Sequence, residues 1–350
     1  MRASAGMLAK RIAITGGLEA ANLLRAAGLM RGARGRGAIF TLHHVRLCED
    51  NAFAPNAHLE ITPAFLDAVL RQLKSEGYRF VSLDDLPALL AEANPGQPFA
   101  AFTLDDGYRN NLAYALPVFE RHQAPFTIFV AKGLAERTHT IWWETLAALL
   151  RKEDKLPFDF GNGSEMIDLA TSVAKASAFA RFAEYLHRND EAAAVTAIDA
   201  LAERHEIDAR EIVDDLVMGP PELNLLEASP LASLGAHTVS HRAVSRLSDA
   251  DVRDEMAVSC DYVETITGKR PLSLAYPYGT REAVGERQAM IARDLGFAVA
   301  VTTQPGVVTQ RSLQNIAYLP RLSINGLYQK TRYISGLASG IPLKLMGNRG

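Results

Sequence analysis

Two imidazoles four residues apart and a pair of adjacent carboxylates are the groups in this chain best suited to chemistry. His237 and His241 stand in Gly235-Ala236-His237-Thr238-Val239-Ser240-His241. An H-x3-H spacing puts both rings on one face if the backbone makes one helical turn, a common arrangement of metal ligands. Asp105 and Asp106 stand in Thr103-Leu104-Asp105-Asp106-Gly107-Tyr108. Neighbours in extended backbone point to opposite faces, but a turn permitted by Gly107 brings both carboxylates to one pocket. One of them joined to the two histidines gives three ligands with positions left open for water, the composition of a catalytic rather than a structural zinc centre. A third cluster, Leu274-Ala275-Tyr276-Pro277-Tyr278-Gly279, is stiffened by Pro277. Its backbone N–H groups suit a developing oxyanion, and its rings suit a sugar face. Each cluster taken alone also has a plain reading: an acidic helix cap, a chance histidine pair, a packed turn.

Elements that end at these clusters are legible in the apolar pattern. Short runs at 38–42, 78–81, 99–104, 126–130, 231–236, 272–276, 298–301 and 322–324 read as strands. Thr62-Pro63 opens a helix with apolar residues at 65, 66, 69, 70 and 73, closed by Gly77. Residues 110–122 read as helix, as do residues from Ser248 to about 267, where Ser248 caps and Gly268 ends the element. Residues 137–228, rich in Ala, Leu, Glu and Arg, read as a helical insertion into this rhythm. Strand–helix alternation over such a length implies a mostly parallel sheet, open or closed into a barrel, with sites in the loops after the strands.

Composition narrows the function classes. The 350 residues are 48% hydrophobic and 22% charged, an ordinary soluble composition with ample material for a core. The two cysteines, Cys48 and Cys260, fit neither a disulfide framework nor a cysteine zinc finger. No apolar window is long enough to span a bilayer, and Lys10, Arg11 and Arg25 interrupt any signal-like core. The expected compartment is therefore the cytoplasm, or its membrane surface. The net charge of −3 is uneven: basic residues crowd 1–40 and 327–350, and the body between them is acidic. An acidic body argues against nucleic acid. The basic ends suit either a peripheral contact with an anionic membrane or a solvated helix and tail. The expected organisation is a basic helical segment at 1–37, a barrel at 38–326 and a basic tail at 327–350. Oligomeric state is not legible.

The order DDG, then H-T-x-x-H, then YPYG resembles the polysaccharide deacetylases of the NodB-homology class, carbohydrate esterase family 4. The resemblance spans roughly residues 38–326 apart from the insertion, and three ordered motifs after strands make a specific signal. It implies a deformed (β/α) barrel and metal-dependent removal of N-acetyl groups from an amino-sugar glycan, oligosaccharide or glycolipid. Carried over by motif, Asp105 is the general base, Asp106 binds the metal with His237 and His241, and Tyr278 lends its backbone N–H to the oxyanion hole. Zn²⁺ suits one Asp and two His, as do Co²⁺, Ni²⁺ and Mn²⁺. Tyr108, Tyr276, Pro277 and Trp143 are the residues expected to touch the sugar. Trp142-Trp143 also reads as an anchor of the insertion.

The chain departs from the family pattern twice. Ala275 occupies the place of a base-orienting arginine, and the late strand Tyr318-Leu319-Pro320-Arg321-Leu322 carries no general-acid histidine. Some deacetylases of this class look circularly permuted, with the acid on a front strand in a Tyr-His-x-Val pattern. Leu42-His43-His44-Val45 is similar to it, so His43 is the candidate acid, with His44 second. Arg321 is the candidate partner for Asp105. Two other readings remain open at this stage: a catalytically silent metal-binding barrel that recognises glycans, and hydrolysis of another C–N bond in a small molecule. His58, His122, His139, His187 and His205 match no motif.

Overall fold

Seven parallel strands close into a barrel in the computed structural model: β1 (Gly37–Leu42), β2 (Phe99–Leu104), β3 (Phe126–Val130), β4 (Ala232–Ala236), β5 (Ser273–Ala275), β6 (Val299–Pro305) and β7 (Leu319–Ser323). The structure describes residues 2–47, 51–93 and 96–347, with the backbone alone over 2–11. Going round the barrel, β1 pairs with β7, then β6, β5, β4, β3 and β2 follow, and β2 pairs back onto β1. The first and last strands of the chain are therefore neighbours. A short strand at Arg79–Phe80 joins β2 beside the closed ring.

Both faces of the strands are covered, so β1 and β2 show no exposed residue at all. Period two appears instead in what each side chain touches. Ile39, Ala101, Phe129 and Leu319 share the barrel interior, whereas Phe40, Phe102, Phe126 and Ile128 pack outward on the helices. Helix α1 (Arg2–Ala26) precedes the barrel, and α2 (Pro63–Ser75) lays Leu66, Val69 and Leu70 on its outer face. The Thr62 hydroxyl accepts the Phe65 N–H at 3.1 Å, as the cap reading expects.

One expected helix is present with a local variation, and one expectation needs correction. Residues 110–122 begin as a π-helical turn over Asn111–Ala115 before α3 (Leu116–His122), and such turns recur at functional sites. The insertion contains an antiparallel hairpin, Lys155–Asp159 with Ser164–Asp168, beside its helices. The period-two signal there is one short run, with Leu156 and Phe158 buried between exposed Lys155, Pro157 and Asp159. Helices of the insertion include α4 (Trp142–Lys152), α5 (Ser172–Arg188) and α6 (Glu191–Arg204). They share a core of their own that includes Leu146, Phe182 and Ile198. After the insertion, α7 (Asp249–Thr267) is capped by Ser248 and ends at Gly268 with φ +70°.

At the ends of the chain, α1 packs on α8 (Thr331–Ala338), burying Leu18 and Ala21. Arg332 pairs with Glu19 at 2.6 Å and Arg25 with Glu76 at 3.0 Å, so two terminal cations are neutralised within the protein. Among the described residues, no helix is long and apolar enough to cross a membrane. Cys260 is buried and free; Cys48 and Arg349 lie outside the described residues.

Candidate active site

Side chains on β2 alternate inward at Ala101 and Thr103, and the same period delivers Asp105 into the barrel mouth. The Asp105 N–H still bonds the Leu42 carbonyl at 3.0 Å, as a ladder continuation would. Asp106 then turns through φ +72° and Gly107 through φ +69°, swinging the second carboxylate to the same pocket. Both aspartates are buried, and their surroundings differ.

Asp105 meets Arg321, which points inward from β7. The guanidinium donates to both carboxylate oxygens at 2.7 Å and to the Thr103 hydroxyl at 2.9 Å, while its Nε donates to the Thr302 carbonyl at 2.8 Å. Arg321 is fully enclosed, with its guanidinium 5.9 Å from the centre of the Phe129 ring. Burial works to raise the Asp105 pKa, but the arginine outweighs it and holds the carboxyl below its ordinary value. Arg321 thus sits against Asp105, where Ala275 supplies no cation.

Asp106 Oδ1 is buried with no hydrogen-bond partner among the described residues. It faces Nε2 of His237 at 3.4 Å and Nε2 of His241 at 3.2 Å. The ligand atoms of the three residues lie within 4.8 Å of one another. His237 Nδ1 lies 2.7 Å from the Ala275 carbonyl, an arrangement in which Nδ1–H donates and Nε2 keeps its lone pair. A buried carboxylate oxygen aimed at two imidazole nitrogens fits a divalent metal ion. The H-x3-H backbone is an irregular turn rather than a helical one, with Thr238 and His241 at φ +64° and +55°. Glu255 on α7 holds that turn by accepting the Val239 and Ser240 N–H groups at 2.8 and 2.9 Å.

His43 follows β1 at the mouth. Its Nε2 lies 3.9 Å from Asp105 Oδ2 and its side chain is 20% exposed. Burial pushes its pKa down to about 4 in spite of the two aspartates. The Asn111 amide donates to the His43 carbonyl at 2.7 Å, and Asn110 binds the Val45 N–H and the His44 ring. His44 is wholly buried, stacked on Tyr108 with ring centres 3.5 Å apart. His43, not His44, therefore faces the pocket.

The aromatic residues divide between wall and core. Tyr278 has φ +58° and its ring centre is 5.1 Å from that of His241; Trp143 is 5.0 Å from the same ring. The next residue, Gly279, has φ +62°, and a Cβ there would meet the Thr303 backbone nitrogen at 2.4 Å. Tyr276 is fully buried with its hydroxyl on the Ala317 carbonyl at 2.7 Å, and Pro277 is also buried. Tyr108 is buried too, accepting the Trp143 indole N–H at 3.1 Å. Tyr276, Pro277 and Tyr108 thus shape the site from behind and offer no free face to a sugar, contrary to expectation. Which residues of such a loop turn inward is not readable from the motif alone. A cleft of about 1040 Å³ runs from His241, Trp143 and Tyr278 to Asp199 and Glu203 on α6.

Sequence reasoning missed Asn110, Asn111, Glu255 and Glu191 as supports, whereas Trp142 was read as an anchor of the insertion. The two asparagines follow the DDG motif after Tyr108 and Arg109 and offered a signal; the two glutamates, each on its own helix, offered none.

A family model described as polysaccharide deacetylase matches residues 92–164 and 156–300. No curated protein matches the chain. Among solved structures, the deacetylase PplD of Streptococcus pyogenes, in complex with acetate, is similar at 18% identity and a TM-score of 0.54, covering 83% of this chain and 92% of that one. IcaB from Ammonifex degensii is similar at 16% identity and a TM-score of 0.54, covering 87% and 98%. A de-N-acetylase from Aggregatibacter actinomycetemcomitans is similar at 13% identity and a TM-score of 0.51, covering 85% and 98%. At these identities the structures speak to the fold, a parallel barrel with helices outside.

Proposed function

Since the chain belongs to the polysaccharide deacetylase family and is thereby a hydrolase of N-acetyl amide bonds in polysaccharides, we propose that it deacetylates an N-acetylhexosamine glycan, oligosaccharide or glycolipid with Asp105 as general base. The carrying observation is that two adjacent aspartates have been given opposite surroundings: Asp105 is clamped by a cation, and Asp106 faces two imidazoles with an oxygen left free.

Asp106, His237 and His241 would hold the metal, most simply Zn²⁺, with Co²⁺, Ni²⁺ or Mn²⁺ as alternatives. A divalent ion there supplies Lewis acidity, which acidifies water and polarises the acetyl carbonyl. Asp105 is ionised and oriented by Arg321, so it accepts the proton of the attacking water. His43, neutral at rest and 3.9 Å from Asp105, would take up the water's proton by way of Asp105 and pass it to the departing amine. The Tyr278 backbone N–H, fixed by its left-handed turn, donates to the oxyanion of the tetrahedral intermediate. Collapse of that intermediate breaks the C–N bond and leaves acetate and a free amino sugar. Trp143 and the Tyr278 ring form the wall along which the sugar lies.

His43 and Arg321 both lie beside Asp105, where they could fill the two roles left vacant by the family pattern, and this favours catalysis over a silent glycan-binding barrel. The acid at the front of the chain accords with the permuted arrangement that the sequence resembles. The test is acetate release from N-acetylglucosamine oligomers by purified protein, with Zn²⁺ or Co²⁺ and with chelator. Release is expected to need metal and to vanish in Asp105→Asn, which still binds it. No release from any acetylated glycan by metal-loaded protein would overturn the proposal.

A further inference from the structure

Glu191 opens α6 of the insertion and is only 6% exposed. Its Oε1 accepts the Tyr278 hydroxyl at 2.7 Å, and its Oε2 accepts the Ala243 N–H at 3.0 Å. Ala243 lies two residues after His241, so one carboxylate bonds both the loop carrying the imidazoles and the loop carrying Tyr278. The Tyr278 hydroxyl also accepts the Trp142 indole N–H at 3.0 Å. Trp142 opens α4, so two helices of the insertion each send a first-turn side chain to the same phenol. The His187 ring on α5 closes the third side, with its centre 5.5 Å from that of Tyr278.

We infer that Glu191 is a positioning residue through which the insertion fixes the histidine loop and the aromatic loop relative to each other. The inference rests on the deacetylase reading of the same site. Three physical reasons carry it. A carboxylate is expensive to bury, and this one is accommodated by hydrogen bonds at both oxygens and by the N-terminal turn of α6, where negative charge is favoured. Hydrogen bonds to an ionised acceptor are roughly twice as strong as neutral ones, so the tether is stiff. Finally, Tyr278 and His241 both hold left-handed backbone conformations, which persist in non-glycine residues only where the surroundings over-determine them. Without Glu191, the histidine loop loses the restraint at Ala243, and the aromatic loop loses the anchor that aims the Tyr278 N–H.

The experiment compares full-length wild type, Glu191→Ala, Glu191→Gln and Tyr278→Phe, all titrated with Co²⁺ and assayed for acetate release. Three quantities are read: cobalt affinity, the visible absorption of the bound cobalt, and kcat with KM. Supporting groups of metal ligands contribute about 10–100-fold to affinity or activity, and Glu191→Ala is expected to fall in that range with KM nearly unchanged and a shifted cobalt spectrum. Glu191→Gln, which keeps one acceptor oxygen, is expected to lie between Glu191→Ala and wild type. Tyr278→Phe keeps the Ala243 tether, so it should lose kcat while retaining cobalt affinity. Wild-type affinity, spectrum and kcat in Glu191→Ala, with only its melting temperature lowered, would overturn the inference. Should Glu191→Ala not fold, an unchanged kcat in Tyr278→Phe together with an unchanged spectrum in Glu191→Gln would overturn it equally. Cobalt affinity and spectrum do not depend on acetate release. A wild type that releases no acetate, beside a Glu191→Ala variant with weakened cobalt binding, would sink the deacetylase reading and leave this one standing.

Discussion

Arg321 and Asp105, 216 positions apart in the chain, meet as a two-pronged pair with both contacts at 2.7 Å inside the barrel mouth. Planar guanidinium and carboxylate match in shape, so the contact fixes the direction of the aspartate as well as its charge. Removing the arginine leaves a buried carboxylate without its cation. Arg321→Ala should therefore lose about 3–5 kcal/mol of stability together with acetate release. Arg321→Lys keeps the charge and loses the fork, so kcat should fall more than stability does. Urea unfolding beside steady-state kinetics separates the two effects; equal stability and equal kcat in Arg321→Lys would contradict the account.

Metal binding should divide the two aspartates. Asp106→Asn replaces a ligand oxygen and is expected to abolish stoichiometric Zn²⁺ or Co²⁺ binding, as is His237→Ala. Asp105→Asn should retain the ion. Metal content after dialysis decides, and equal retention by Asp105→Asn and Asp106→Asn would remove Asp106 from the ligand set.

The barrel could be read largely from sequence because buried parallel strands are continuous apolar runs, and runs such as 99–104 and 126–130 match the observed elements residue for residue. The pocket aspartates were legible for the same reason: a strand that ends on Asp105-Asp106-Gly107 leaves those side chains at the mouth. Burial of Tyr276 was not legible, since a loop motif does not say which ring turns inward. Nor was the tether at Glu191, because a glutamate in the first turn of a helix looks like any favourable helix opening until its partners are seen. The pairing of Arg321 was suggested only by an absence, that of a cation at position 275.

A pH effect follows from His43. Burial holds its folded pKa near about 4, against an ordinary 6.5. A histidine whose folded pKa is depressed contributes its stability above the unfolded value, and that contribution is lost as pH falls from about 6.5 towards 4. In chelator-treated protein, wild-type unfolding free energy should drop more steeply across that window than that of His43→Gln. Parallel slopes would show that His43 is not kept neutral by its surroundings.

Asn111 carries a smaller prediction. Its amide donates to the His43 carbonyl at 2.7 Å. Asn111→Ala leaves a buried carbonyl short of a donor, which costs about 1–3 kcal/mol. The expected kinetic signature is a lower kcat with an unaltered KM, since His43 shifts while the sugar-facing wall stays in place. A raised KM with an intact kcat would mean that the asparagine supports binding instead.

Closure of the barrel through its first and last strands has a consequence for biosynthesis. Translation delivers Asp105 long before Arg321, and the guanidinium that makes burial of the carboxylate tolerable emerges only with β7. A nascent chain lacking that strand has reason to keep the aspartate in water, and so to leave the barrel mouth unsealed. On the proposed mechanism, hydrolysis would await β7, because Arg321, which steadies the proposed base, lies on the strand that closes the barrel. Acetate release by a stalled chain ending before Arg321 would contradict this.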